Sequence, residues 1–125
     1  MRLTVFGVLF FLAALVAVSF FQSRTVRADD LVARGRYLVN DAGKCTDCHG
    51  VNLRGMNLDF MKPGMPVAYR SANIAGLKHL STAAAVSFLR TGLLPNGKQA
   101  APPMPQYRFN SSDAQAIVAY LKSLK

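Results

Sequence analysis

The sequence predicts an all-α protein: one small domain of three to four helices over 29–125, preceded by an apolar N-terminal helix. Three observations point to this. Apolar residues recur at helical spacing in three stretches of the domain, no stretch alternates apolar and polar residues as a half-buried strand would, and a glycine- and proline-containing segment of irregular pattern separates the first stretch from the second. There are no internal repeats.

The N-terminus carries its own signal. After Met1 and Arg2 an almost unbroken apolar run extends from Leu3 to Phe21, followed by Gln22, Ser23 and Arg24, and Val26-Arg27-Ala28 then offers small residues at the minus-three and minus-one places of an export cleavage site. Residues 1–28 therefore read as a signal peptide, with the remaining chain starting at Asp29 in an exported, periplasmic compartment. The run is long for a signal core, typically about 7 to 15 residues, and close to the roughly 20 of a spanning helix, so an uncleaved inner-membrane anchor through residues 3–21 stays open. Arg2 alone precedes the run while Arg24 and Arg27 follow it, so charge barely orients it.

Composition bounds the rest. Without residues 1–28 the chain has 97 residues, enough for one small domain. The whole chain carries a formal net charge of +9; Arg2, Arg24 and Arg27 leave with the leader while all six acids stay, so twelve basic residues face six acidic ones, a net of +6. The basic residues are spread along the chain without a run or stripe, which argues against nucleic acid as a partner. The spread fits electrostatic steering towards an acidic docking face on a partner protein, and equally an ordinary solvated surface.

The first helix is expected from Asp30 to Asn40, with Leu31, Val32, Tyr37, Leu38 and Val39 as its apolar members; Gly35 inside it weakens the helix unless another backbone must approach closely. Asp41-Ala42-Gly43-Lys44 breaks it. Residues Gly50 to Ala75, with Gly55, Pro63, Gly64 and Pro66, read as loop. A second helix runs from Ser81 or Thr82 to Arg90, stopped by Gly92, and Pro95-Asn96-Gly97-Lys98 is a turn. In the third, Ser112 and Gln115 have capping-box spacing, and Ala114, Ile117, Val118, Tyr120, Leu121 and Leu124 make an apolar face.

Between the first helix and the loop lies Cys45-Thr46-Asp47-Cys48-His49, which holds both cysteines of the chain. Two residues between the cysteines bring both sulfurs to one side of a turn, where they can add to the two vinyl groups of one porphyrin, and the histidine that follows is carried beneath the ring as proximal iron ligand. Two cysteines and two histidines scattered at random give this string roughly once in a few thousand shuffles of the pattern. A thioredoxin-like redox pair would need a βαβ context that the glycines and prolines after His49 do not supply. A zinc site would need a third and fourth ligand, and only His79 and carboxylates remain.

A haem iron held by His49 has a second axial position to fill. Besides Met1 the candidates are Met56, Met61, Met65, Met104 and the imidazole of His79. Met104 lies in Ala101-Pro102-Pro103-Met104-Pro105-Gln106-Tyr107, where prolines fix φ, remove backbone donors and hold the peptide extended, so that a thioether can be presented without collapse into a helix. His79, in Leu77-Lys78-His79-Leu80, reads as a surface residue, and Met56, Met61 and Met65 as loop residues packing on haem or core. Cys45, Cys48, His49 and Met104 are thus the cofactor-binding candidates, with His49 and Met104 on the metal.

From about Leu31 to the end the chain resembles the class I c-type cytochromes, through Gly35-x-Tyr37-Leu38-Val39, the motif Cys45 to His49, a late methionine and Ile117-Val118-Ala119-Tyr120-Leu121. Ser71-Ala72-Asn73-Ile74-Ala75-Gly76-Leu77 and the stretch from Pro95 to Pro105 are similar to exported bacterial monohaem members, some of them partners or subunits of periplasmic dehydrogenases. The resemblance implies a small cytochrome c fold around one covalently bound haem, with Gly35 packed against Tyr120 and a proline carbonyl, that of Pro63 or Pro66, receiving the His49 hydrogen bond. Nine residues separate Gly35 from Cys45, more than in many members, so a short bulged turn is expected after the first helix.

Six-coordinate iron with an imidazole and a soft thioether changes oxidation state with little movement and at a raised potential, so electron transfer is the expected function. No paired carboxylates, Ser/His/Asp set or phosphate loop suggests an enzyme. Two other readings are kept: a cytochrome subunit of a periplasmic dehydrogenase complex, and a haem-based small-molecule sensor or peroxidase in which Met104 is displaced.

Overall fold

The computed structural model describes residues 28–125. The chain divides into two units, 1–30 and 31–125. Of the first, residues 28–30 are described and are helical; the expected leader or anchor, with its run Leu3 to Phe21, lies outside the described residues.

In the second unit helix α1 (31–37) continues into a widened, π-type turn, Leu38–Ala42. Helix α2, Cys45–His49, is a single turn. A short 3₁₀ turn, Ala75–Leu77, follows the long loop, and helices α3 (Thr82–Thr91) and α4 (Ser111–Ser123) complete the fold. Among the described residues there is no strand, only isolated bridges between Asn57 and Arg70 and between Leu93 and Gln99. The all-α expectation is met, and no helix among the described residues is long and apolar enough to cross a membrane.

Gly35 makes the central crossing possible. A Cβ there would lie 2.6 Å from the Ala116 carbonyl carbon and 2.8 Å from the Tyr120 Cβ, so α1 meets α4 backbone to backbone, as the resemblance implies. Arg34 Nε donates to Asp113 Oδ1 at 3.0 Å beside this crossing. The close approach buries Val39, Ile117 and Val118 almost completely, and Leu38, Leu53, Ala75, Ala116 and Leu121 join Val39 and Ile117 in one cluster.

The residues between Gly35 and Cys45 are absorbed by the bulge that the sequence predicts. Gly43 N–H reaches back five residues to the Leu38 carbonyl at 2.7 Å, which closes a π-type turn, and Lys44 then takes a left-handed conformation (φ 49°) that turns the chain into α2.

Helix α3 starts at the Ser81 cap, whose side chain accepts from Ala84 N–H at 3.2 Å, and stops at Gly92, whose φ of 71° suits a residue without Cβ. Helix α4 starts earlier than the Ser112–Gln115 spacing predicts. Asn110 is the cap: its Oδ1 accepts from Asp113 N–H at 2.8 Å while its Nδ2 donates to Asp113 Oδ2 at 3.1 Å, and Ser112 Oγ donates to the same Oδ1 at 2.8 Å. Asp113, at the third helical position, reaches back to the Asn110 side-chain amide, where a capping-box glutamine would have accepted from a backbone N–H.

Candidate haem-binding site

Because α2 is one helical turn, Cys45, Cys48 and His49 fall at spacings of three and four residues and share a face. Both cysteines are free and half-buried, and burial pushes the Cys45 thiol above its ordinary pKa. His49 is buried. Its Nδ1 lies 2.7 Å from the Ala72 carbonyl oxygen, which can only accept, so Nδ1 carries the proton and Nε2 is left with a lone pair for a metal.

The partner of His49 corrects the sequence expectation. It is Ala72, not Pro63 or Pro66, both of which are exposed further back in the loop. The loop comes back through Ser71, whose N–H donates to the Met56 carbonyl at 2.9 Å and whose Oγ accepts from the Met56 N–H at 2.9 Å, and through Leu53, whose carbonyl accepts from the N–H groups of Ile74 and Ala75. This pairing, and not proline stiffness, brings Ala72 beneath the imidazole. A backbone carbonyl leaves no mark in a sequence.

Above this face lies a cavity of about 360 Å³. Its lining includes Cys45, Cys48 and His49 together with Pro103, Met104 and Tyr107, and aliphatic and aromatic side chains from the loop, α3 and α4 supply most of the remainder. The structure thus gathers all four cofactor-binding candidates at one cavity. His79 is exposed and not among its lining residues. Met56, Met61 and Met65 are not lining residues either; Met56 and Met65 are 39% and 46% exposed and do not join the core, and Leu58 is the buried residue of that loop.

A flat apolar macrocycle with an iron centre suits this donor set: two thiols for its vinyl groups, an imidazole with a free lone pair, a thioether, and an apolar surround. A zinc or redox-dithiol site suits it less. Among the described residues no group of three or more His, Cys, Asp or Glu side chains converges on a metal position, and α2 lies in no βαβ unit.

Two lining residues escaped the sequence reading. Arg70 is a cation beside an otherwise apolar cavity, its NH1 donating to Asn57 Oδ1 at 2.8 Å. Tyr107 donates its hydroxyl to the Gly43 carbonyl at 2.7 Å, and burial raises its pKa. Tyr107 had a readable signal, an aromatic three residues after Met104 in a segment otherwise built of prolines.

A family model described as cytochrome c matches residues 32–125. The chain is also similar to the cytochrome c subunit of a quinone-type alcohol dehydrogenase from Gluconobacter oxydans (strain 621H), 28% identical over a 117-residue alignment that covers 78% of this chain and 24% of the relative. The chain thus spans about a quarter of that relative's length. No solved structure matches the chain. With a family match over all but the N-terminal quarter, and with Cys45-x-x-Cys48-His49 fitting the attachment of haem c at an apolar cavity, the chain belongs to the cytochrome c family.

Proposed function

We propose that this domain is a one-electron carrier whose haem is bonded through thioethers to Cys45 and Cys48 and ligated axially by His49 and Met104. The observation that carries this reading is that His49 and Met104 line one apolar cavity together with Cys45 and Cys48. The haem iron supplies the one-electron couple when bound. His49, held by the Ala72 carbonyl, keeps its imidazole in one tautomer and orientation, so the ligand does not reorganise between oxidation states. The Met104 thioether favours the reduced metal, and the apolar lining excludes water, which disfavours the extra charge of the oxidised state. Both effects raise the potential.

A subunit role is a specific second reading. The similar protein is the cytochrome c subunit of a dehydrogenase, which favours a redox enzyme as electron donor for this chain as well. The net of +6 over 29–125 favours a partner with an acidic docking face. Residues 1–28 act as an export signal or anchor in this proposal, with 29–125 working in the periplasm.

Carbon monoxide separates the carrier from a sensor or peroxidase. The reduced holoprotein at neutral pH keeps its spectrum under carbon monoxide if the thioether closes the sixth position; ready formation of a carbonyl adduct refutes the carrier reading and favours small-molecule chemistry at the iron.

A further inference from the structure

The segment that carries Met104 has few means of holding itself in place. Pro102, Pro103 and Pro105 have no backbone N–H, and helix α4 begins only at Ser111. Ahead of Met104 the segment is pinned where Ala68 N–H donates to the Pro102 carbonyl at 2.7 Å. Behind it, Tyr107 turns inward, its ring stacked on Phe109 with centroids 5.0 Å apart and its hydroxyl on the Gly43 carbonyl at 2.7 Å. Phe109 is fixed in turn by its N–H on the Leu89 carbonyl at 3.1 Å.

Among the described residues, the Tyr107–Gly43 bond is the one side-chain hydrogen bond that joins 101–107 to a distant part of the chain. Gly43 sits two residues before Cys45, at the end of the π-type turn. The bond therefore ties the Met104 segment to the turn that leads into Cys45, Cys48 and His49, and residues from both line the same cavity. Only two residues, Pro105 and Gln106, separate Met104 from the anchored tyrosine, and Pro105 stiffens that link.

We infer that Tyr107 is a positioning residue for the Met104 thioether: its hydroxyl clips the Met104 segment to the turn that delivers Cys45, and so resists displacement of the thioether by an incoming ligand. The inference rests on the reading of Met104 as axial ligand. The Gly43 carbonyl can only accept, and burial keeps the phenol protonated, so the bond persists across the neutral range. Phenylalanine keeps the ring, its volume and its stacking on Phe109 while deleting the donor, so Tyr107→Phe isolates the hydrogen bond. Losing a neutral hydrogen bond of this kind shifts an equilibrium about fivefold, equivalent to about 1 kcal/mol.

The test is a titration of the oxidised holoprotein with imidazole at neutral pH, following loss of the methionine–iron charge-transfer band at the red end of the spectrum. Tyr107→Phe keeps the band before imidazole is added and binds imidazole about fivefold more tightly than the wild type. Ser81→Ala, which deletes the cap of α3 outside the cavity lining, lowers the melting temperature by a similar amount and leaves imidazole affinity unchanged. Wild-type imidazole affinity in Tyr107→Phe overturns the positioning role, as does an equal gain in affinity in Tyr107→Phe and Ser81→Ala, which would make the effect one of general stability. Persistence of the band in Met104→Ala overturns instead the ligand assignment beneath it.

Discussion

Gly35→Ala adds one methyl group where α1 crosses α4, and two opposed effects decide its sign. Alanine improves an interior helical position by about 1 kcal/mol over glycine. Against this, the new Cβ would lie 2.6 Å from the Ala116 carbonyl carbon and 2.8 Å from the Tyr120 Cβ, where carbon atoms pack comfortably at about 3.5–4.0 Å. The Ala116 atoms are backbone and cannot rotate away, so the helices must part by about 1 Å. That movement loosens Val39 and Ile117, which are 0% and 2% exposed, so the cost belongs at the upper end of overpacking, about 3 kcal/mol. The net destabilisation is about 2 kcal/mol, and a domain of this size loses roughly 8–16 °C in melting temperature. Thermal unfolding of the oxidised holoprotein by far-ultraviolet circular dichroism measures it. A melting temperature equal to or above the wild type would show that helix propensity outweighs the crossing, and would refute the packing argument.

The cap of α4 gives a paired prediction: Asn110→Ala removes the acceptor of the Asp113 N–H and costs about 1 kcal/mol, or roughly 4–8 °C, whereas Ser112→Ala stays within about 0.5 kcal/mol. Thermal melts of the two variants check it, and a reversed order would restore the cap that the Ser112–Gln115 spacing suggests. Covalent attachment predicts that haem stays with the chain through acid-acetone extraction, because thioether bonds outlast the fold, and that it is released from a chain with both Cys45→Ser and Cys48→Ser. Free extraction from the wild type contradicts attachment.

Helix positions were legible in the sequence because periodicity, Ser81 and Gly92 act locally, and the chain had to do nothing unusual at them. The Cys45–His49 motif was legible because one helical turn fixes its geometry. Gly35 was legible as a close approach, although the identity of its partner came from the resemblance and not from helix pattern. What escaped reading was set by long-range backbone pairing. The proline expectation for His49 failed because the bridge between Asn57 and Arg70, with the Met56–Ser71 pairing, folds the loop so that Ala72 is the residue beneath the imidazole. The earlier start of α4 was missed because Asn110 and Asp113 form a side-chain cap of the same three-residue spacing two positions upstream, with residue types other than the Ser and Gln of the capping-box pattern. The outward turn of Met56 and Met65 has the same origin: composition marks a methionine as core filling, while the loop pairing gives the inward place to Leu58.

The axial assignment is the centre of the account, and Met104→Ala tests it most directly through the visible spectrum and reduction potential of the holoprotein, with His79→Ala measured beside it. The account predicts that Met104→Ala keeps its covalent haem, loses the methionine–iron band and falls in potential, while His79→Ala matches the wild type in both. An unchanged band and potential in Met104→Ala, with both altered in His79→Ala, would make the axial pair His49 and His79 and contradict the reading of a high-potential carrier.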